Sequence, residues 1–388
     1  MQTHNHALSS ARILMLAIIC CIVVANIYFN QSVLNLIAGA FPNERNAVSL
    51  IPMATQLGYA AGLFFLIPLG DYIERQRLIL RQAQVLFLAL LGMMLSPTAT
   101  VLVFFSFITG MSATVAQQIV PLAASLAGPL CRGKIVGTVM SGVLAGILAG
   151  RAIGGLIGQY FDWRGVFLFG AIMTLLAVVF IVRILPSQSL PAPTFNYLAV
   201  LRSLGQLWKS EPQVRKATLT QAMLFASFSV LWTVLPFWLA HRYDYGAGVT
   251  GTLAALGLIG ILCAPLAGSF SDRQGPFRMV MLGVILMLLA WIVFWGWNSM
   301  AGMVVGILLL DAGEQCVLIA NQHTIYALRP DARNRLNTLF MCVMFIGGAC
   351  GSLTATGLWQ ATQSRTLISA AGAALVLCGM LIAVRRKG

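Results

Sequence analysis

Twelve apolar runs, each 19 to 25 residues long, follow one another along this chain with short polar gaps between them. They cover residues 13–37, 47–69, 78–96, 100–122, 135–159, 164–185, 217–240, 249–270, 277–297, 300–323, 337–359 and 365–384. A helix that crosses the hydrocarbon core of a bilayer needs roughly 20 apolar residues. Runs of that length and number fit a membrane and no soluble core. Only 9% of the 388 residues are charged, against about 25% in soluble proteins. The expected fold is therefore an all-α integral membrane protein with twelve transmembrane helices. The first run starts after Arg12, continues past the length of a signal peptide and shows no small-x-small cleavage site, so it reads as a retained helix.

The net charge of +14 would suggest nucleic acid in a soluble protein. Here the basic residues lie in the gaps between runs and alternate from side to side. Nineteen Lys and Arg fall on one side, and four (Arg45, Arg164, Arg242 and Arg365) on the other. Basic loops stay in the cytoplasm. The pattern predicts cytoplasmic termini and a cytoplasmic central linker, with the bilayer and no nucleic acid as partner. Most of the eight cysteines sit inside apolar runs and none has metal-ligand spacing. No metal, cofactor or catalytic constellation is expected. His4 and His6 belong to a polar tail.

One offset recurs along the chain. Asp71 and Asp272 are 201 residues apart, as are Arg77 and Arg278. The loop from Pro129 to Lys134 matches Pro330 to Arg335 at the same offset, and Gly146 and Gly150 match Gly347 and Gly351. A constant register over that distance predicts two parallel six-helix halves. The expected domains are 1–185, a linker over 186–216 with Pro186, Pro191 and Pro193 and a short surface helix from Asn196 to Lys209, and 217–388.

The loop after the second run reads Gly70-Asp71-Tyr72-Ile73-Glu74-Arg75-Gln76-Arg77, and its counterpart runs from Gly268 through Asp272 and Arg273 to Arg278. Both resemble the signature loop of the major facilitator superfamily, in which an acid at a helix end faces basic residues on the next helix. The resemblance implies a conformational latch made of Asp71, Arg75, Arg77, Asp272, Arg273 and Arg278. In the fifth run Gly142, Gly146, Gly150, Gly154 and Gly158 are spaced by four. That spacing lines them along one face for another helix to approach. The stretch from Gly146 to Gly155 resembles the antiporter motif of the same superfamily, with Arg151 where the usual form has proline. Ser106 stands about where that superfamily's drug antiporters carry an arginine. Ala25 to Gln31, Asn321-Gln322 and Arg335 to Thr338 are similar to its bacterial drug and arabinose-efflux branch. The resemblance covers essentially the whole chain. It implies a monomeric secondary transporter with a midplane site between its halves, which rock to give alternating access.

Three ionisable residues stand clearly inside runs: Arg151, Asp311 and Glu314. Such residues are costly at bilayer depth and are functional candidates by default. Asp311 falls roughly 16 Å into the tenth run at about 1.5 Å per residue, near the midplane. Glu314 follows one turn later. Two carboxylates that close do not readily both ionise, so one is expected to hold a proton. These two, with Arg151, are the candidates for coupling to protons, and a purely structural ion pair with Arg151 is the competing reading. For Arg151, snorkelling toward the membrane surface would also suffice. Polar side chains that either line a central cavity or glue helices are Asn26, Tyr28, Gln31, Gln117, Gln118, Gln315, Asn321 and Gln322. Trp232 belongs to an aromatic set in the seventh run with Phe225, Phe228, Phe237 and Trp238, and Trp238 fits an interfacial belt. The expected function is proton-coupled export of a small organic molecule. The alternatives are a proton-coupled uptake symporter on the same fold and, in another class, a membrane sensor or enzyme. Against that class, no soluble output domain and no nucleophile–histidine pair is found.

Overall fold

A computed structural model describes residues 10–70, 72–126, 131–185, 197–257, 275–328 and 332–385. Asp71, Asp272 and Arg273, the histidines at 4 and 6, Cys263 and the prolines at 186, 191 and 193 lie outside them. Among the described residues the chain is helical throughout. Hydrocarbon offers no hydrogen bonds, so each segment that crosses it must satisfy its own backbone.

The helices are α1 (Ser10–Ala40), α2 (Arg45–Leu69), α3 (Arg75–Met94), α4 (Ala99–Ser112), α5 (Val115–Leu126), α6 (Arg132–Ile184), α7 (Tyr197–Ser210), α8 (Pro212–Tyr243), α9 (Ala247–Ala255), α10 (Pro276–Gly296), α11 (Met300–Leu328), α12 (Arg333–Thr362) and α13 (Arg365–Val384). The fourth run is split into α4 and α5 by a turn at Ala113 and Thr114. The fifth and sixth runs form α6, which breaks at Phe161 and Asp162, where Asp162 has φ 63°. The surface helix expected after the sixth run is α7. The eighth run begins as α9, and its remainder lies outside the described residues. Helix starts are capped where the chain turns. Glu44 Oε2 accepts from the backbone N–H of Ala99 at 2.9 Å, and Ser364 accepts from Leu367 at 3.4 Å.

The 201-residue register holds in three dimensions. α3 and α10 start at Arg75 and Pro276, α4 and α11 at Ala99 and Met300, and α6 and α12 at Arg132 and Arg333. Asp162 and Gln363, again 201 apart, both take positive φ at the corresponding helix ends. Two apolar cores accompany this repeat. One is built mainly from α1 to α6, joined by Phe225, Cys342, Met344 and Phe345, and the other from α8 to α13. Large apolar side chains outside them, such as Leu88, Ile292 and Leu381, are exposed. Such surfaces suit lipid.

The glycines of α6 pack along α1 in steps of four on both helices. A Cβ at Gly142, Gly146, Gly150, Gly154 or Gly158 would meet Ala17, Cys21, Ala25, Phe29 and Val33 respectively. Gly347 and Gly351 of α12 meet Ala222 and Ala226 of α8. These last contacts repeat those of Gly146 and Gly150, residue for residue, at the same offset.

Two seams join the halves. Along α2 and α12, Gln56 donates to Ser352 at 2.8 Å, the rings of Tyr59 and Phe345 lie 4.4 Å apart, and Gln360 donates to the carbonyl of Arg45 at 2.7 Å. Between α6 and α9, Gly155 faces Ala247 and Gly251. Backbone-to-backbone contacts leave no room for a methyl. Gly150→Ala and Gly351→Ala should therefore each cost about 1–3 kcal/mol. Gly357→Ala, with nothing near its Cβ, should not. Melting temperatures of the purified variants in one detergent check this, and equal values for all three would refute it.

Candidate functional site

Arg151 sits on the α6 face that meets α1, and its side chain reaches the second half. It is 3% exposed, so it does not snorkel. Its Nε donates to Gln31 Oε1 on α1 at 3.0 Å. Its guanidinium carbon lies 4.1 Å from the ring centre of Trp232, 4.7 Å from that of Tyr28 and 5.4 Å from that of Phe228. Gln31 and Trp232 are themselves 201 residues apart, so the two halves offer equivalent positions to one cation. A desolvated cation–π contact contributes about 2 kcal/mol. Three rings and a hydrogen bond are thus of the order of the several kcal/mol that burying a charge costs. That balance accounts for Arg151 without a carboxylate at contact distance.

Asp311 and Glu314 occupy neighbouring turns of α11, both buried. Trp232 Nε1 donates to Asp311 Oδ1 over a long 3.4 Å, so one indole touches both the cation and the acid. Among the described residues neither carboxylate has a basic nitrogen within 4.0 Å. Glu314 Oε1 accepts from Gln221 Nε2 of α8 at 2.6 Å, and Gln221 Oε1 accepts from Asn321 Nδ2 at 3.1 Å. Among the described residues Glu314 Oε2 is buried without a partner. Asp311 instead lines a cavity of about 40 Å³ with Arg151, Phe228, Gln315 and Gly257.

The other expected cavity residues divide. Tyr28, Gln31, Trp232, Gln315 and Asn321 belong to this cluster or touch it. Asn26 donates to the Ile22 carbonyl and to Thr174 Oγ1, tying α1 to α6 inside the first half. Gln118 donates to Gln82 at 2.8 Å, and with Gln117 it lines a separate cavity of about 100 Å³ beside Gly70, Arg75 and Arg335. Gln322 is half-buried and outside the network. Trp238, expected in an interfacial belt, is instead packed inside the second core with its ring centre 6.1 Å from that of Phe294. α8 is enclosed by other helices there, and no lipid reaches it. Of the described latch residues, Arg77 pairs with Glu74 at 2.6 Å and Arg75 donates weakly to the Gly70 carbonyl at 3.4 Å. Arg278 stands near the start of α10.

Residues 14–352 and 217–387 both match the family model described as Major Facilitator Superfamily. The chain belongs to the major facilitator superfamily. It is 39% identical over 387 residues to YgaY of Escherichia coli O157:H7, an uncharacterized transporter, covering 98% of this chain and 97% of that protein. It is 22% identical over 333 residues to YceJ of Bacillus subtilis (strain 168), an uncharacterized MFS-type transporter, covering 85% and 84%. Among solved structures it is similar to a bacterial homologue of the human lysosomal transporter Spinster in an inward-facing, unoccupied conformation. That likeness has a TM-score of 0.72 and 16% identity over 97% of this chain and 94% of the other, and it supports the fold alone. The protein is thus a multi-span membrane transporter of this superfamily and not an enzyme.

Sequence reasoning passed over two residues of this candidate site. Gln221 was legible as an amide within an apolar run. Gly257 carries no side-chain signal, and its importance comes from what stands beside it. The Gln221 relay makes a prediction. Gln221→Leu strands a carboxylate oxygen and an amide in an apolar interior, which costs about 1–3 kcal/mol. Replacing Glu314 by Leu as well removes the stranded acceptor and should recover part of the lost melting temperature. A double variant no more stable than Gln221→Leu would count against the relay.

Proposed function

We propose that this transporter couples the movement of a small organic molecule to protons by alternating access in the bacterial inner membrane. The observation that carries the reading is Glu314: buried, hydrogen-bonded through one oxygen and, among the described residues, without a basic nitrogen in contact. A bare carboxylate in such a place is costly, and taking up a proton removes its charge. Any rearrangement that changes the surroundings of this acid is then linked to proton binding. Asp311 lies one turn away and touches Trp232, which also carries Arg151. The cluster draws on α1 and α6 from one half and on α8 and α11 from the other, so relative motion of the halves must reshape it.

In this reading residues 1–185 and 217–388 are the moving units, 186–216 is the linker, and the termini are cytoplasmic. The loop charges support that orientation. The acid and basic residues after the second and eighth spans, Asp71 with Arg75 and Arg77 and Asp272 with Arg273 and Arg278, serve as the latch. The protein acts as a monomer.

Direction follows from how proton and substrate share the site. Export against an inward proton gradient, which the glycine motif's resemblance implies, requires that they exclude each other. Import requires that they bind together. The motif's glycines pack against α1 and α9, so the charged cluster is where this choice is made.

A deletion strain and an overexpression strain, screened against toxic compounds and sugars, would supply a transported compound. In proteoliposomes an imposed proton gradient should then drive its accumulation. Asp311→Asn or Glu314→Gln should lower that accumulation at least roughly tenfold while leaving gradient-free exchange. Gradient-driven accumulation that survives both substitutions would sink the coupling role.

A further inference from the structure

The cavity beside Arg151 carries information about what the site holds. Arg151 is buried, and its Nε is taken by Gln31. Among the described residues its two terminal nitrogens make no hydrogen bond, yet the side chain lines the 40 Å³ cavity. A guanidinium presents those nitrogens as a fork that fits a carboxylate or phosphate. The space is small and suits a compact anionic group at the fork. The wall beside the fork is apolar, made by Leu144, Ile147, Leu148 and Phe228.

The internal repeat shows that this space is specific to one half. Arg151 and Ser352 are equivalent at the 201-residue offset, and so are Gly257 and Gln56. At the α2–α12 seam the Gln56 side chain fills the position and donates to Ser352. At the α6–α9 side Gly257 has no side chain, and Leu148 and Asp311 close in on it instead, with the small cavity beside them. A Cβ there would lie 2.9 Å from Asp311 Oδ2 and 2.7 Å from Leu148 Cδ2. The acids of α11 have no counterparts either, since Asp311 and Glu314 correspond to Gly110 and Ala113. The half-to-half seam is thus sealed by a polar side chain on one side. On the other it is replaced by a cation, an acid and a small cavity.

We propose that this cavity is the head-group subsite for an organic carboxylate, gripped by Arg151, and that the carboxylate and a proton occupy the site together. The proposal rests on the proton-coupled reading and specifies its substrate class. A carboxylate on Arg151 would stand beside Asp311. With Asp311 ionised, two anions share one cation. With Asp311 protonated, the site holds one anion and one cation, and the new acid O–H can donate to the ligand. Each binding event favours the other, which is the rule for symport. Among the described residues the remaining titratable groups near this pair are Glu314 on the same helix and the phenol of Tyr28 on α1. α8 presents Trp232 and Gln221, and α9 presents Gly257, none of which is charged.

The test uses the full-length protein in detergent with radiolabelled acetate, hexanoate and benzoate as probes. At least one should bind, while benzamide and benzylammonium fail to compete. In weakly buffered solution about one proton should be taken up per carboxylate bound. Arg151→Gln should weaken binding at least roughly tenfold, with Arg151→Lys intermediate. Gly257→Gln, which copies the other seam, should abolish it. Asp311→Asn, neutral from the start, should bind the carboxylate without proton uptake, and it tests the linkage even where an Arg151 variant fails to fold. The proposal is overturned if none of the three carboxylates binds, if benzamide competes equally, if protons are released, or if a folded Arg151→Gln keeps its affinity. Carboxylate binding with proton uptake but no gradient-driven flux would refute the coupling reading alone. Gradient-driven flux of a compound that never needs Arg151 would refute the subsite alone.

Discussion

Lipid tails are as apolar as leucine, so helices in a bilayer gain little from hiding apolar side chains against one another. What holds this bundle is close approach of backbones, and that requires the absence of side chains along particular lines. α6 lies on α1 through five glycines in steps of four, and α12 lies on α8 through Gly347 and Gly351. These seams set the distance and rotation of the helices that carry the polar groups. Arg151 is held against Gln31 because its neighbours Gly150 and Gly154 let α6 lie against Ala25 and Phe29.

The same repeat that builds the frame makes its departures visible. Equivalent positions bear Gln31 and Trp232, and both turn to one arginine. Other equivalent pairs are chemically unlike: Arg151 and Ser352, Gln56 and Gly257, Gly110 and Asp311. A polar side chain that seals one seam is missing from the other, and the charges have collected where it is missing. Buried charge is expensive, and here it is concentrated in one cluster that both halves build. The cost is met by aromatic faces and amides rather than by an ion pair at contact distance.

Much of this was legible before any coordinates. That the chain crosses a bilayer many times as helices followed from run length, because the thickness of the hydrocarbon core dictates it. The repeat followed from single residues at one offset, and helix starts and left-handed helix ends keep that offset. The motif residues pointed to the superfamily to which the chain belongs. Other residues misled by type alone. Asn26, a polar residue in the first span, reads equally as cavity lining or as glue. It proves to bond Thr174 within its own half. Trp238 has the amphipathic ring of an interfacial residue, yet it is enclosed by the second core.

By itself the sequence determined the all-helical membrane fold, the two-fold repeat, and the identity of the three buried charges. Each of these depends on periodicity, length or composition, which are properties of the chain taken in order. Only the tertiary structure decided which of those charges meet, that Arg151 is met by rings and an amide instead of a carboxylate, that Gln221 links Glu314 to Asn321, and that Asp311 closes on Gly257 beside a small cavity. Those outcomes depend on how far helices remote in sequence approach and how they are rotated. Backbone contact at the glycine seams sets both, and no single helix encodes it.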